Sequence, residues 1–207
     1  MSNQGKKKKA LDDSYWQYFL KLESDFYATA HYLGSSRTND LACSIEFAQQ
    51  IICINTECEA VIKKIGKAID PKDPAANMGH YKRTLLKRFP KIHTAAVQIE
   101  QFHRSVHPFA GWDISGGRLD WWNAFQDIKY HRENNFEKAN LINTLEALCA
   151  LLILELYLYA LYSPEGAESR EGTYLLWAPG MPEKKQTPGS KFLPHLPLAV
   201  KGKQSRP

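Results

Sequence analysis

The sequence predicts an all-α fold: a helical bundle with two long antiparallel N-terminal helices, a short basic helix and a long apolar C-terminal core helix. Three observations carry this expectation. Apolar residues recur at three- and four-residue steps through residues 12–33 and 41–69, the spacing of one helix face. The stretch 141–162 is apolar almost throughout, as a helix enclosed by neighbours requires. Hydrophobic residues make up 43% of the 207-residue chain and aromatics 12%, which supplies a packed core and excludes a disordered protein. That length suits one helical domain, residues 12–163, between a basic tail (1–11) and a Pro/Gly/Lys-rich tail (164–207).

Each element has its local reason. Residues 1–10 hold four lysines and no acid, and no apolar stretch follows them, so no signal peptide is read there and a cytoplasmic protein is expected. A cap at residues 12–14 opens the first helix, whose stripe is Phe19, Leu22, Phe26, Ala30 and Leu33, with Gly34 as its stop. Asn39 or Asp40 is expected to cap the second helix, over residues 41–69. Phe47, Ile51, Ile54, Cys58, Val61, Ile65 and Ile69 form its main face, widened by Leu41, Ile45, Ala48 and Ile52. The two prolines of DPKDP end it. Asn77 then opens a short basic helix that stops before Pro90. Residues 95–107 read as helix or as extended strand, and Pro108, Gly111, Gly116 and Gly117 as loop. A helix begins near Trp121. Asn134, with Glu137 three residues on, resembles a capping box that opens the core helix, which ends at Ser163-Pro164. Residues 173–178 form either a strand or a segment along the surface, and 180–207 read as disordered.

The core helix has the length of a membrane span. Glu146 and Glu155 interrupt it, however, and nine residues apart they point to opposite sides, so no single polar seam hides both. An acidic side chain at a bilayer centre costs about 3 kcal/mol, so the expectation is core and no membrane. The four cysteines, Cys43, Cys53, Cys58 and Cys149, lie in apolar patterns without CxxC spacing. They are expected to be buried, reduced thiols rather than disulfides or zinc ligands.

The formal net charge is +5, but the tails carry the excess and the middle of the chain is acidic. Against that, residues 78–107 hold Lys82, Arg83, Lys87, Arg88, Lys91 and Arg104 with Glu100 as the only acid. The expectations for this stretch are a positive patch for an anionic partner or a solvated face.

The strongest candidate site lies in WWNAFQDIKYHR. At 100° per residue Trp121, Phe125 and Ile128 share one face, with Trp122, Lys129 and Arg132 beside them. A guanidinium and an ammonium against aromatic rings can hold phosphate and stack a base; they can equally close on a buried acid and cover a ring by cation–π contact. His131 follows Asp127 by one turn, the arrangement in which a carboxylate orients an acid–base imidazole. His103 and His107 have the i,i+4 spacing of zinc ligands if helical, but no third ligand follows and HEXXH is absent, so no metal and no cofactor are expected. No phosphate-binding glycine loop and no GxSxG elbow are present.

Trp122, Phe125, Lys129 and Arg132 match the pattern W-x-x-Y/F-x-x-x-K-H-x-R, with Tyr130 at the histidine position and His131 one residue later. Upstream, two long helices precede a short helix and a Pro108, Phe109, Trp112 stretch. In these features residues 14–162 resemble the HEPN superfamily (higher eukaryotes and prokaryotes nucleotide-binding domains), in particular a bacterial branch with that segment before its last helix. The resemblance implies an all-α bundle, frequent homodimers, and roles in RNA cleavage, toxin–antitoxin pairs and phage defence. The family's metal-independent ribonuclease motif, Arg-x4–6-His on the last helices, is missing there: neither Arg118 nor Arg132 has a histidine at that distance, and His107 follows Arg104 too soon. The expected function is thus a non-catalytic or degenerate module binding RNA, a nucleotide or a protein partner through Lys129, Arg132, Trp122, Lys82, Arg83, Lys87 and Arg88. The alternatives are a ribonuclease using Arg132 and His131, and a purely structural interaction bundle.

Overall fold

The computed structural model describes residues 11–162, apart from 35, 73, 75, 115 and 116, together with a strand at Leu176–Trp177. Residues 1–10 of the basic tail and most of the C-terminal tail lie outside the described residues. The fold is predominantly helical, with a small antiparallel sheet on its flank.

Helix α1 (Ser14–Ala30) starts where Asp12 Oδ1 accepts the Ser14 N–H at 3.1 Å, and it buries Trp16, Phe19, Leu22, Phe26 and Ala30. It ends one turn before the expected Leu33. Helix α2 (Ile45–Ile69) also starts later than its apolar pattern suggests, because Ser44 closes the end: its Oγ accepts the Phe47 N–H at 3.0 Å. Leu41 and Ile45, expected to widen the core face, are instead 74% and 73% exposed. Residues 37–39 form a separate 3-10 turn. Helix α3 (Met78–Arg88) is capped by Asn77, as its sequence implies, and buries Tyr81 and Leu85.

Residues 92–112 alternate 3-10 turns with two short strands, β1 (Val97–Ile99) and β2 (Arg104–Val106), which pair antiparallel with Gln98 opposite Ser105. The strand alternative for this segment is therefore the correct one. Strand β3 (Leu176–Trp177) adds to the other edge of β1, with Ile99 opposite Leu176. His103 turns the β1–β2 connection with φ 48°, in the left-handed region where a side chain is strained. His103 and His107 therefore do not share a helix face.

Helix α4 (Asp120–Asn135) buries Trp121, Ala124, Phe125 and Ile128, but it breaks at His131, where φ is −145° and ψ 41°. After a 3-10 turn at Phe136–Lys138, helix α5 (Leu141–Tyr162) begins. Asn134 does not open the core helix. Asn140 does, its Oδ1 accepting the Asn143 N–H at 3.0 Å.

Helix α5 is the axis of the bundle and packs most extensively on α2. The two run in the same direction: Ser44 N–H reaches the Ala139 carbonyl at their starts, and Cys58 lies over Ala147 further along. Helix α1 opposes both, with Phe26 against Phe47 at one end and Trp16 against Tyr159 at the other. Although α5 is long and apolar enough to cross a membrane, 83% of its most apolar window is buried inside the bundle. Cys58 and Cys149 are buried as expected. Cys43 is exposed, because it precedes the helix rather than belonging to it, and Cys53, within α2, is half-buried.

Candidate functional site

Helix α4 has a buried stripe and two polar flanks. The stripe anchors it firmly: the Trp121 indole N–H donates to the Pro108 carbonyl at 2.8 Å, and the Phe109 ring meets Trp121 edge-on. Pro108, Phe109 and Trp112 thus form the floor on which the N-terminal end of α4 rests. Two glycines let the preceding loop close. A Cβ on Gly111 would overlap the Arg118 carbonyl, and one on Gly117 would overlap the Gly111 carbonyl, so only glycine permits the approach that sets Arg118 at the helix entrance.

One flank, toward α2, carries the predicted cations. Trp122 is half-buried, perpendicular to Trp121 and tilted against Phe125 at 5.2 Å. The Lys129 ammonium lies 5.2 Å from the Phe125 ring centre and 5.1 Å from that of Tyr130, a cation–π arrangement. The rings backing Lys129 are therefore Phe125, one turn earlier, and the adjacent Tyr130. Arg132 is exposed and pairs with no acid among the described residues. It lies beyond the break at His131, so the straight-helix geometry that placed it beside Lys129 stops one residue short of it. Asp127 does not orient His131 either, since its carboxylate accepts from Lys138 at 2.5 Å. The His131 carbonyl accepts from the Asn135 amide at 2.9 Å.

The cations of α3 are not gathered with this pair. Arg83 and Lys87 are exposed, Arg88 lies over the Phe89 ring at 5.4 Å, and Lys82 donates to the Ile114 carbonyl at 3.1 Å. Phe89 stacks on Tyr157 near the end of α5, whereas Lys129 and Arg132 lie near its start. From residue 140 to residue 157 a helix rises roughly 25 Å. Among the described residues, the cations of α3 and those of α4 therefore form two separate basic regions.

Arg104, also in the basic stretch, points inward. Its side chain is 8% exposed, and Nη1 donates to both Asp40 oxygens at 2.8 and 3.0 Å. Nε and Nη2 are buried without a hydrogen-bond partner. Close to this pair, burial, then the charges of Asp120 and Asp40, push the Glu146 carboxyl up to about 7.

The other flank of α4, toward α5, was not legible as a site. There Arg118, Asp120, Asn123, Ala124, Gln126, Asp127, Lys138 and Asn143 line a cleft of about 450 Å³. Its signal in the sequence is the polar series Asp120, Asn123, Asp127, which any solvated helix face also shows. Comparison with protein-family models, curated proteins and solved structures found no match for this chain.

Proposed function

We propose that this chain is a HEPN-like helical binding module, without the family's ribonuclease chemistry, that holds single-stranded RNA or a nucleotide on helix α4. One observation supports this reading above the others: Lys129 and Arg132 are exposed and have no acidic partner among the described residues. Cations that served only to hold the bundle together would close on carboxylates, as Arg104 closes on Asp40 and Lys138 on Asp127. Unpaired cations beside aromatic rings suit a phosphate chain whose bases stack. On this reading α3 supplies a second, more distant set of phosphate contacts through Arg83 and Lys87.

The test is fluorescence anisotropy of a labelled single-stranded RNA at low salt, comparing the wild-type chain with Lys129→Ala/Arg132→Ala. Weaker binding by the double variant is expected. No binding by the wild type, or equal binding by both, removes the proposal.

A second reading, a protein partner or a second copy, rests on a different observation. Leu41 and Ile45 are exposed, and Phe136 is 37% exposed on the turn beside them. That turn is joined to the start of α2 through the Ser44–Ala139 hydrogen bond. Sedimentation that shows a monomer for the wild type, and no change for Leu41→Ser/Ile45→Ser, counts against self-association there.

A further inference from the structure

The cleft between α4 and α5 is half tied and half open. Its rear wall is fixed internally: Lys138 holds Asp127, Asn143 Nδ2 donates to the Lys138 carbonyl at 2.9 Å, and the Asn143 N–H is taken by Asn140. Its front, formed by Arg118, Asp120, Asn123 and Gln126, makes no side-chain hydrogen bond or ion pair among the described residues. A fixed wall facing unspent donors and acceptors is the arrangement a ligand site needs. The volume of about 450 Å³ falls within the range of small-molecule pockets, ~300–1,000 Å³.

The chemistry of the open groups restricts the ligand. Asp120 only accepts, so the ligand must present N–H groups to it. Arg118 only donates, so the ligand must present an acceptor or an anion there. Asn123 and Gln126 supply both functions. The charge of Asp120 also reaches Glu146 and helps raise its carboxyl, so this corner is already negative and a further acceptor placed against Asp120 would be repelled.

We propose that this cleft binds a guanine nucleotide, with Asp120 accepting the two adjacent N–H groups of the base and Arg118 taking its phosphate. Among the bases guanine alone offers two neighbouring donors, N1–H and the N2 amine, that match the two oxygens of one carboxylate. Adenine and cytosine place a ring acceptor beside their amine, and uracil flanks its single N–H with two carbonyls. Guanine O6 and N7 then face the amides of Asn123 and Gln126, and the methyl of Ala124 lies under the ring. The nucleotide can be free or an unpaired guanosine in RNA, since both present the same edge and phosphate.

This inference rests on the RNA- or nucleotide-binding reading above but uses the opposite flank of α4, so the two fail separately. The experiment is calorimetry of the full chain with GMP, AMP, CMP and UMP, alongside anisotropy with oligouridine carrying or lacking one guanosine. GMP is expected to bind at least about tenfold tighter than the other three. Asp120→Asn is expected to remove that preference, a loss of about ten- to a hundredfold for a charged hydrogen-bond pair. Gln126→Ala, on the same open side, should weaken GMP without affecting folding, and Arg118→Ala should weaken GMP but not guanosine. Four nucleotides binding alike, none binding, or Asp120→Asn leaving GMP unchanged would overturn it. RNA bound with no preference for guanosine overturns the cleft assignment while leaving the Lys129/Arg132 reading intact. GMP bound without RNA supports the cleft and sinks the RNA reading.

Discussion

Glu146 makes the pH dependence of this fold calculable. Burial first, then the charges of Asp120 and Asp40, raise its carboxyl from the usual 4.5 to about 7 in the folded chain. A group whose folded value is raised contributes stability that is fully present below about pH 4.5 and is lost as pH rises through about 7. At one pH unit per 1.36 kcal/mol the gap corresponds to about 3 kcal/mol, and the side chain's partial solvent contact reduces this toward ~2 kcal/mol. Against a typical total of about 5–15 kcal/mol that is a large share. Glu146→Gln keeps the shape and removes the charge. Urea unfolding at pH 4.5, 6, 7 and 8 should show the two proteins within about 0.5 kcal/mol at pH 4.5. At pH 8 the variant should be more stable by ~2 kcal/mol. Taking the difference between variants cancels the titrating groups that do not interact with Glu146. A difference that is constant with pH would refute the reasoning, as would a wild type more stable than Glu146→Gln at pH 8, which would mean that the carboxylate has a favourable partner.

Three further outcomes are expected. Asp40→Ala leaves the buried Arg104 guanidinium without its carboxylate and should cost about 3–5 kcal/mol in urea unfolding, whereas Asp40→Ala/Arg104→Met should cost less. Ser44→Ala removes the cap of α2 and should cost about 1 kcal/mol, while Leu41→Ser, at an exposed position ahead of the helix, should change stability by less than about 0.5 kcal/mol. Burial raises the Cys58 and Cys149 thiols well above their usual value, so a thiol reagent should modify Cys43 first and reach Cys58 and Cys149 only in denaturant.

How far the sequence carried the structure depended on whether a signal was longer than one turn. The stripes of α1 and α2 and the apolar run of α5 extend over several turns, and the packing follows them. Errors fell where two local signals competed. Leu41 continues the apolar rhythm of α2, but Ser44 bonds the Phe47 N–H and ends the helix before it, and Ile45, in the first turn, stays exposed. Asn134 and Glu137 imitate a capping box, yet the chain breaks at His131 and Asn140 makes the cap. Strands of three residues, such as Val97–Ile99, are too short for a period to be read at all.

The site was legible in part for the same reason. Lys129 does lie on aromatic rings, because residues 125 and 129 are one unbroken turn apart. Arg132 lies past the break, where helical geometry no longer predicts direction. The basic stretch at 78–107 looked continuous in the sequence, but folding sends Arg104 inward to Asp40 and α3 to the far end of α5. The α4–α5 cleft depends on Lys138 and Asn143, which come from another turn and another helix, and residue spacing along α4 does not show that they meet it.

The salt dependence of RNA binding tests the central claim most directly. Each phosphate contact on a single strand contributes a slope of about −0.7 to log K against log salt. If Lys129 and Arg132 both meet phosphates, Lys129→Ala/Arg132→Ala should bind more weakly and have a slope shallower by about 1.4 than the wild type. Identical slopes for the two proteins, or wild-type binding that does not change between 50 and 200 mM salt, would contradict it.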